Sequence, residues 1–141
     1  MANMPEKVIE NIKEMKTVAF VTVGDDGRPN VVPVQNMIIK DPETVLIGDN
    51  FFKKTAANLQ KPDRNVAICS WVEREGALAK GVLKREGYQV KGVANYTTEG
   101  PDYEAMKKAM SEKLPRKGCV TVKVTEVYEV SPGPNAGSQI A

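Results

Sequence analysis

Short runs of β-branched and aromatic residues recur along the chain, and most of them end at glycine, proline, aspartate or asparagine. The first run, Val18–Val23, stops at Gly24-Asp25-Asp26-Gly27, which is a strong turn signal. Runs of this length and composition predict β-strands rather than helices. The other predicted strands are Asn30–Ile39, Thr44–Ile47, Asn65–Val72, Tyr88–Thr97 and Cys119–Val130.

Apolar residues at helical spacing interrupt the strand pattern in three places. The predicted helices are Pro5–Lys16, Phe51–Gln60 and Pro101–Leu114. Because helices and strands do not alternate strictly, a doubly wound parallel sheet is disfavoured. The chain is therefore expected to form one domain, residues 1–141, that is mainly β with inserted helices and is built as an antiparallel six-stranded barrel.

Some strands carry finer predictions. Pro33 has no N–H for a neighbouring strand, which favours an edge, a bulge or an opening at that point. The charged stretch Glu73–Glu86 predicts a long hairpin tip, and Ser131–Ala141 predicts an aperiodic tail. Alternation in the last strand places five apolar residues on one face: Val120, Val122, Val124, Tyr128 and Val130.

The chain of 141 residues contains no histidine and only two cysteines, Cys69 and Cys119. The lack of imidazole excludes Ser-His and Cys-His nucleophile pairs, histidine-ligated haem and zinc sites that need histidine. Two thiols are too few for an all-cysteine zinc site or an iron–sulfur cluster. Any redox or group-transfer chemistry must therefore come from a bound cofactor.

Charge and hydropathy narrow the range of partners. Twenty Lys+Arg against eighteen Asp+Glu give a net charge of +2, which is too balanced for a dedicated nucleic-acid-binding protein. No apolar run approaches the ~20 residues of a membrane span, and Met1–Lys16 lacks the apolar centre of a signal peptide. Both cysteines lie in apolar runs, and we interpret them as reduced thiols of a cytoplasmic protein, with a disulfide as the alternative.

A pair of lysines lies where the second predicted helix begins. Lysines normally favour the C-terminal end of a helix, because the N-terminal end is already electropositive. Lys53, Lys54 and Thr55 would bring two cations, a hydroxyl and free backbone N–H groups to one point. This combination predicts a phosphate site. The alternative is that both lysines simply point into water.

Polar and aromatic residues in three predicted strands suggest a second part of a site. Gln35 and Asn36 lie among apolar neighbours, and a buried amide needs hydrogen-bond partners. A planar heterocycle with carbonyl groups and ring nitrogens would supply them, whereas an internal bond to the backbone is the alternative. Trp71 and Tyr88 are candidates for lining a pocket, with core packing as the alternative.

Neither a dinucleotide-binding GxGxxG fingerprint nor a Walker lysine motif is present in the sequence. Asp25, Asp26 and Glu43 fall in predicted turns, and we interpret them as turn residues rather than metal ligands. The sequence thus predicts no metal site and no side chain that is an obvious acid–base catalyst.

Several segments follow one another in a recognisable order: Asp26-Gly27-Arg28-Pro29, Val31-Val32-Pro33-Val34, Gly48-Asp49-Asn50, Lys53-Lys54-Thr55 with Asn58, Gly87-Tyr88-Gln89-Val90-Lys91-Gly92-Val93-Ala94, and Ser131-Pro132-Gly133-Pro134-Asn135-Ala136-Gly137. In this order and spacing the chain resembles the pyridoxamine 5′-phosphate oxidase-like FMN-binding split-barrel family, in its small single-domain form. The resemblance runs from about Val18 to the C-terminal tail.

The resemblance implies a six-stranded split β-barrel that forms a homodimer with two FMN sites at the subunit interface. Lys54, Thr55 and Asn58 would hold the FMN phosphate, with Lys53 as a further contact, and the strand residues 32–36 would lie along the isoalloxazine ring. The implied cofactor-binding residues are Val32, Pro33, Val34, Gln35, Asn36, Asp49, Lys53, Lys54, Thr55, Asn58, Trp71, Tyr88 and Gln89.

The chemistry implied by the resemblance is that of a redox protein or oxidoreductase acting through the flavin, with an unidentified small molecule as its redox partner. The named oxidase holds its substrate with basic side chains that include histidine, which this chain lacks. Oxidation of vitamin B6 phosphate is therefore in doubt. The alternatives are a deazaflavin-binding reductase of the same fold and a non-enzymatic split-barrel binding protein.

Overall fold

A computed structural model describes residues 1–75 and 83–141 of the chain. Its helices and strands are α1 (Glu6–Met15), β1 (Val18–Val23), β2 (Pro29–Val34), β3 (Met37–Asp41), β4 (Thr44–Asp49), α2 (Lys54–Asn58), β5 (Arg64–Glu75), β6 (Leu83–Thr97), α3 (Pro101–Ala109) and β7 (Gly118–Glu129). The strands form one antiparallel sheet in the order β2-β1-β5-β6-β7-β4-β3. The predicted fold class, mainly β with inserted helices, is confirmed. The sheet has seven strands rather than six, and it is not closed.

The extra strand arises because the predicted strand Asn30–Ile39 is two strands, separated at residues 35–36. β2 and β3 lie at opposite ends of the sheet, so the chain crosses from one end to the other at this break. Pro33 lies in β2 opposite Ala19 of β1. β2 is an end strand of the sheet, where a proline is tolerated, and this confirms the edge prediction.

The hairpin formed by β5 and β6 is longer than predicted. Glu73 of β5 pairs with Arg85 of β6, and the Arg85 Nε lies 3.2 Å from the Glu73 carboxylate. Both ends of the predicted tip Glu73–Glu86 are therefore strand, which corrects that prediction. The centre of the tip, residues 76–82, lies outside the described residues.

A β-bulge changes the inward face of β7 near its end. Lys91 pairs with Glu126 but Gly92 pairs with Val124, so Thr125 is an extra residue on β7. Because side chains alternate with a period of two, the extra residue reverses which of them face the core. Val127 is buried, whereas Tyr128 is only partly buried and its ring lies 4.9 Å from the Lys91 Nζ. The prediction of one face from Val120 to Val130 is therefore wrong beyond Val124.

The helices differ from their predicted lengths. α1 matches its prediction and packs Val8, Ile9 and Ile12 into the main core. α3 ends at Ala109 rather than Leu114, although Met106 and Met110 are both buried against the outside of the sheet. α2 covers only five residues, because residues 50–53 form an irregular loop after β4.

The C-terminal tail is attached to the sheet rather than free. Val127 of β7 donates its N–H to the carbonyl of Ala141 and accepts one from Ile140, at 3.0 and 2.8 Å. The two cysteines are unpaired, as predicted, with Cys119 buried and Cys69 partly exposed. Among the described helices, none has both the length and the apolar character needed to cross a bilayer.

Candidate functional site

A pocket of about 300 Å³ lies where the chain passes between the two ends of the sheet. It contains residues that were predicted from the sequence: Val32, Pro33, Val34, Gln35 and Asn36. β4 and the loop that follows it supply four more that sequence reasoning did not select: Gly48, Asn50, Phe51 and Phe52. Phe51 and Phe52 could have been selected from the sequence, because they are adjacent aromatic residues that directly precede the lysine pair and lie outside any predicted strand. We call this space the seam pocket.

The two amides at the break between β2 and β3 are more accessible than predicted. Gln35 is exposed and Asn36 is partly buried. The Asn36 carbonyl accepts the N–H of Gly48 at 2.9 Å, which holds the break against the end of β4. The amide side chains are therefore available to a molecule in the pocket rather than consumed by the core.

The loop after β4 is fixed by buried polar side chains. Asp49, with 1% of its surface exposed, accepts the N–H of Phe52 at 2.9 Å through one carboxylate oxygen. Its other oxygen accepts the Tyr96 hydroxyl at 2.6 Å. Burial and this hydrogen bond raise the pKa of Tyr96 above its ordinary value. Since both carboxylate oxygens are engaged, Asp49 acts here by positioning the loop, not as a wall of the seam pocket.

Asn50 holds the same loop from a second direction. Its side-chain oxygen accepts the N–H of Arg116 at 2.9 Å, and its amide nitrogen lies 3.4 Å from the sulfur of Met110. These contacts attach the loop to the segment between α3 and β7. The wall of the seam pocket therefore depends on residues that are distant in sequence, which single-sequence patterns do not reveal.

A cluster of hydrogen-bonded polar side chains lies where α2 packs on β1 and β2. Thr55 accepts the side-chain amide of Asn30 at 3.0 Å, and Asn58 donates its amide to the hydroxyl of Thr22 at 3.0 Å. Thr22, Thr55 and Asn58 are buried, and Asn30 is partly buried. We call these four residues the polar cluster. Thr55 and Asn58 were predicted site residues, whereas Asn30 and Thr22 were not selected.

Gly24 provides space at the edge of the polar cluster. A Cβ at this position would lie 3.0 Å from the side-chain oxygen of Asn58, 2.9 Å from that of Asp26 and 3.6 Å from the Lys54 ammonium nitrogen. Three polar side chains thus converge on a point that only glycine leaves open. Asp26 also accepts the N–H of Arg28 at 3.0 Å, which confirms its predicted turn role.

Arg64 connects the end of α2 to the turn after β1. Its Nε donates to the carbonyl of Asn58 at 3.0 Å, and its guanidinium also pairs with Asp25. Lys61 forms a second ion pair with Asp25 at 3.0 Å. Hydrogen bonds from Arg64 and Lys61 hold the pKa of the Asp25 carboxyl below its usual range. The charged contacts thus hold α2 in place from outside the polar cluster.

The lysine pair is exposed to solvent beside this cluster. Lys53 immediately precedes α2 and Lys54 is its first residue. Because α2 has only five residues, its macrodipole is weaker than the sequence prediction assumed. The positive charge at this point therefore comes mainly from the two ammonium groups.

The polar cluster and the seam pocket share one face of one strand. Asn30, Val32 and Val34 point to the same side of β2, because alternate residues of a strand face the same way. At about 3.3 Å per residue, Val32 and Val34 lie ~7 and ~13 Å along the strand from Asn30. A single elongated molecule can thus contact both.

The remaining predicted residues fall outside the seam pocket. Tyr88 is 3% exposed and lies in the main core. Trp71 is 48% exposed, on the side of β5 opposite to the buried Ile68 and Ser70. Gln89 pairs with Cys69 on the neighbouring strand and is partly exposed. Neither Trp71 nor Gln89 meets the seam pocket within one chain.

Trp71 borders an apolar surface on the outside of β1 and β2. This surface has a groove of about 420 Å³, lined almost entirely by apolar groups that include Val31, Pro33 and Ala19. Val31 is 63% exposed and Trp71 is the largest side chain of the surface. Exposed apolar patches of this kind mark interaction surfaces. We call it the outer face.

The fold and the site define an open, antiparallel β-barrel with a pocket at the connection between its end strands. Comparison with known proteins identifies its class. A sequence model of the pyridoxamine 5′-phosphate oxidase family matches residues 4–131. The chain belongs to the pyridoxamine 5′-phosphate oxidase-like split-barrel family, which confirms the resemblance seen in the sequence.

Two related proteins and one solved structure are similar to this chain over most of its length. An uncharacterized protein of Methanocaldococcus jannaschii, MJ0282, is 34% identical over 148 residues, covering 100% of this chain and 90% of that protein. An FMN-binding protein of Nitratidesulfovibrio vulgaris is 28% identical over 105 residues, covering 73% of this chain and 82% of that one. The crystal structure of HupZ from Group A Streptococcus is similar with a TM-score of 0.75 and 26% identity, covering 95% and 99% of the two chains.

Proposed function

We propose that the protein is an FMN-binding flavoprotein that acts as a cytoplasmic homodimer and exchanges electrons with a small molecule through the bound flavin. The observation that carries this proposal is the position of the seam pocket and the polar cluster on one face of β2. A flavin mononucleotide has the matching form, with a flat ring at one end and a phosphate at the other. The FMN-binding relative in Nitratidesulfovibrio vulgaris supports the choice of cofactor.

The seam pocket fits the ring end of such a molecule. Its walls include the backbone and side chains of residues 32–36, together with Phe51 and Phe52. Aromatic and aliphatic groups pack against the faces of a ring system, while exposed backbone and amide groups hydrogen-bond to its polar edge. Gln35 and Asn36 would supply the side-chain amides for that edge, as the sequence predicts.

The polar cluster and the lysine pair fit the phosphate end. Lys53 and Lys54 would supply charge, and ammonium groups beside phosphate oxygens form strong hydrogen bonds. The oxygen of Thr55 already accepts the amide of Asn30, so its own hydroxyl proton can be donated to a phosphate oxygen. Asn58 would hold α2 in position through its bond to Thr22.

When bound, FMN would supply the hydride or electron transfer, and the protein's residues would bind and orient it. The Tyr96 hydroxyl donates to the Asp49 carboxylate, and neither residue lines the seam pocket. We therefore assign to them the positioning of the loop and assign no acid–base role to any side chain.

The outer face supports the proposed homodimer. A second copy of the chain that covered Trp71 and Val31 would bury the apolar groove beside them. Val32 and Pro33 line this groove as well as the seam pocket, so the two surfaces adjoin. In that arrangement Trp71 and Gln89 of each copy would lie near the flavin site of the other, as the family resemblance implies.

Comparing FMN with riboflavin separates the two halves of the proposed site. Purified protein is stripped of ligand, any released ligand is identified by mass spectrometry, and FMN and riboflavin are titrated into the stripped protein while flavin fluorescence is followed. We expect FMN to bind at least 100-fold more tightly than riboflavin, because only FMN carries the phosphate. The Lys53→Ala/Lys54→Ala variant should lose most of that difference while keeping its affinity for riboflavin.

Lys108→Ala provides the matched control, since Lys108 is an exposed lysine on α3, far along the chain from the site. A protein that is colourless and takes up neither flavin would contradict the proposal. Release of a deazaflavin instead would establish the first alternative, and no cofactor with an unchanged Lys54→Ala variant would establish the non-enzymatic one.

The homodimer has its own test. Light scattering on wild type should give twice the chain mass, and Trp71→Asp with Val31→Lys should shift the protein toward monomer. Each copy should then also bind FMN more weakly, because the partner's contribution is lost. A monomeric wild type would refute the dimer but leave the FMN assignment to the titration above.

A further inference from the structure

A second groove, of about 540 Å³, lies between the C-terminal half of α1 and the end strand β3. Its floor is apolar and includes Ile12, Met37 and Ile39. Its rim carries two cations, Lys13 and Lys16. None of these residues belongs to the site proposed above. We call this space the lysine groove.

The two ammonium groups of the rim have no carboxylate at ion-pair distance among residues 1–75 and 83–141. Lys13 and Lys16 are both exposed and both line the groove on the side of α1. Two like charges on the rim of one groove repel each other, and an anion between them relieves that repulsion. The rim therefore favours a negatively charged ligand.

Lys16, at the end of α1, has a backbone conformation that is unusual for a lysine. Lys16 ends α1 with φ of 66°, a conformation that glycine adopts more readily than lysine. Its N–H still donates to the carbonyl of Ile12 at 3.2 Å. A lysine at a position suited to glycine is consistent with a use for its ammonium group at the rim.

The lysine groove adjoins the seam pocket through one residue. Gln35 lines both spaces and is exposed between them. A molecule in the groove would therefore lie within one side chain's width of a molecule in the pocket. The apolar floor excludes a strongly hydrated ligand such as a sugar phosphate, since such a ligand would lose water without gaining hydrogen bonds.

We propose that the lysine groove binds a small amphipathic carboxylate, with a flat apolar body on Ile12, Met37 and Ile39 and its carboxylate between Lys13 and Lys16. Its place beside the flavin rests on the proposed function, whereas the binding itself does not. The chemistry of the groove thus defines the class of molecule that would meet the flavin at Gln35.

The test uses 2-naphthoate and its neutral analogue 2-naphthamide as probes, measured by calorimetry on flavin-free and FMN-loaded protein. We expect naphthoate to bind at least tenfold more tightly than the amide at low salt, with the advantage reduced at 0.5 M salt because exposed charges are screened. The Lys13→Gln/Lys16→Gln variant should lose the advantage, and Lys108→Gln should keep it. Circular dichroism and thermal melting confirm that each variant is folded.

Equal binding of the two probes, no binding of either, or an undiminished advantage in the Lys13→Gln/Lys16→Gln variant would overturn the proposal. Naphthoate binding in a protein that takes up no FMN would refute the proposed function and leave the groove assignment standing. In FMN-loaded wild type, naphthoate should also shift the visible flavin band. Binding without that shift would refute the adjacency at Gln35.

Discussion

The hydroxyl of Tyr96 donates a 2.6 Å hydrogen bond to the buried carboxylate of Asp49. This bond joins β6 to the end of β4, and the other oxygen of the same carboxylate holds the N–H of Phe52. Both oxygens of this carboxylate thus accept hydrogen bonds from the protein, and cofactor binding by Asp49 stays a prediction. Its contribution to the site is the shape of the loop that carries Phe51 and Phe52.

Removing the Tyr96 hydroxyl should destabilise the protein, because Tyr96→Phe leaves one oxygen of a buried carboxylate without a partner. We expect the free energy of unfolding to fall by about 1–3 kcal/mol in urea denaturation. Tyr103→Phe is the control, since its hydroxyl donates to a neutral carbonyl, that of Arg116, at 2.8 Å. An equal loss in the two variants would argue against a special role for the Asp49 bond.

The same pair predicts a pH dependence. The pKa of Tyr96 is raised in the folded protein above its ordinary value of 10.0, so the folded state holds the phenolic proton more tightly than the unfolded state. The resulting stability is fully present below pH 10.0 and is lost as pH rises through the folded-state pKa. The difference in unfolding free energy between wild type and Tyr96→Phe should therefore begin to shrink as the pH rises above 10.0. A constant difference up to pH 11 would contradict this reasoning.

The polar cluster predicts that Thr55→Val is more damaging than Thr55→Ser. Valine has nearly the shape of threonine but removes the acceptor of the Asn30 amide, which lies 3.0 Å away. We expect Thr55→Val to lose about 1 kcal/mol of stability and to bind FMN at least tenfold more weakly. Thr55→Ser should stay near wild type in urea denaturation and flavin titration. Equal flavin affinity in the two variants would remove Thr55 from the proposed phosphate site.

A buried hydrogen-bond chain attaches α1 to the sheet. Asn11, with 0% of its surface exposed, accepts the Ser70 hydroxyl at 2.7 Å and donates to the carbonyl of Glu86 at 2.9 Å. Asn11→Ala leaves both partners unsatisfied and should cost about 2–3 kcal/mol, more than Ser70→Ala. A double-mutant cycle on unfolding free energies should give a coupling of ~1 kcal/mol between the two positions. A coupling near zero would show that they act independently.

Two glycines in strands should differ in their tolerance of alanine. A Cβ on Gly92 would lie 2.5 Å from the carbonyl oxygen of Lys123, which belongs to the backbone of β7 and cannot move aside. A Cβ on Gly48 would meet the end of the flexible Met110 side chain instead. We expect Gly92→Ala to cost about 3 kcal/mol and Gly48→Ala about 1 kcal/mol in urea denaturation. A larger loss of stability for Gly48→Ala than for Gly92→Ala would show that the backbone of β7 can shift at Lys123.

Much of the fold follows from local pattern. The strand predicted at Asn65–Val72 lies within β5, in which Val66, Ile68 and Ser70 are buried whereas Ala67, Cys69 and Trp71 are more exposed. The helical stripe of α1 was equally plain, because its apolar residues repeat at one period over ten residues. Long elements with one period are the ones that a single sequence determines.

Other features depend on contacts between distant residues. The extra residue Thr125 in β7 has no local signature, and it follows from the pairing with β6. The break after Val34 interrupts an apolar run that has the composition of a continuous strand. The N–H of Phe52 donates to the Asp49 carboxylate, and Phe52 therefore lies in the loop before α2 rather than in the helix. The helical spacing of Phe52, Ala56 and Leu59 does not indicate this hydrogen bond.

The candidate site also contains residues that the sequence could select and residues that it could not. The lysine pair and Thr55 could be selected from sequence because cations are unusual at a helix start. Asn30 and Asn50 could not, because their importance comes from partners 25 and 66 residues away, Thr55 and Arg116. Tyr88 illustrates the opposite case: an aromatic residue in a matching segment turned out to be core.

The seam pocket is lined by residues 35–36, which join the end strands β2 and β3 directly. Through the sheet, these two strands are separated by six strand-to-strand contacts. Each contact carries a twist of roughly 20–25°, so the relative placement of the two end strands depends on the sum of six small angles. A modest change of twist in β5 or β6, far from the pocket, would widen or narrow it. Divergence among homologues could therefore change which molecule fits without replacing any residue that touches it.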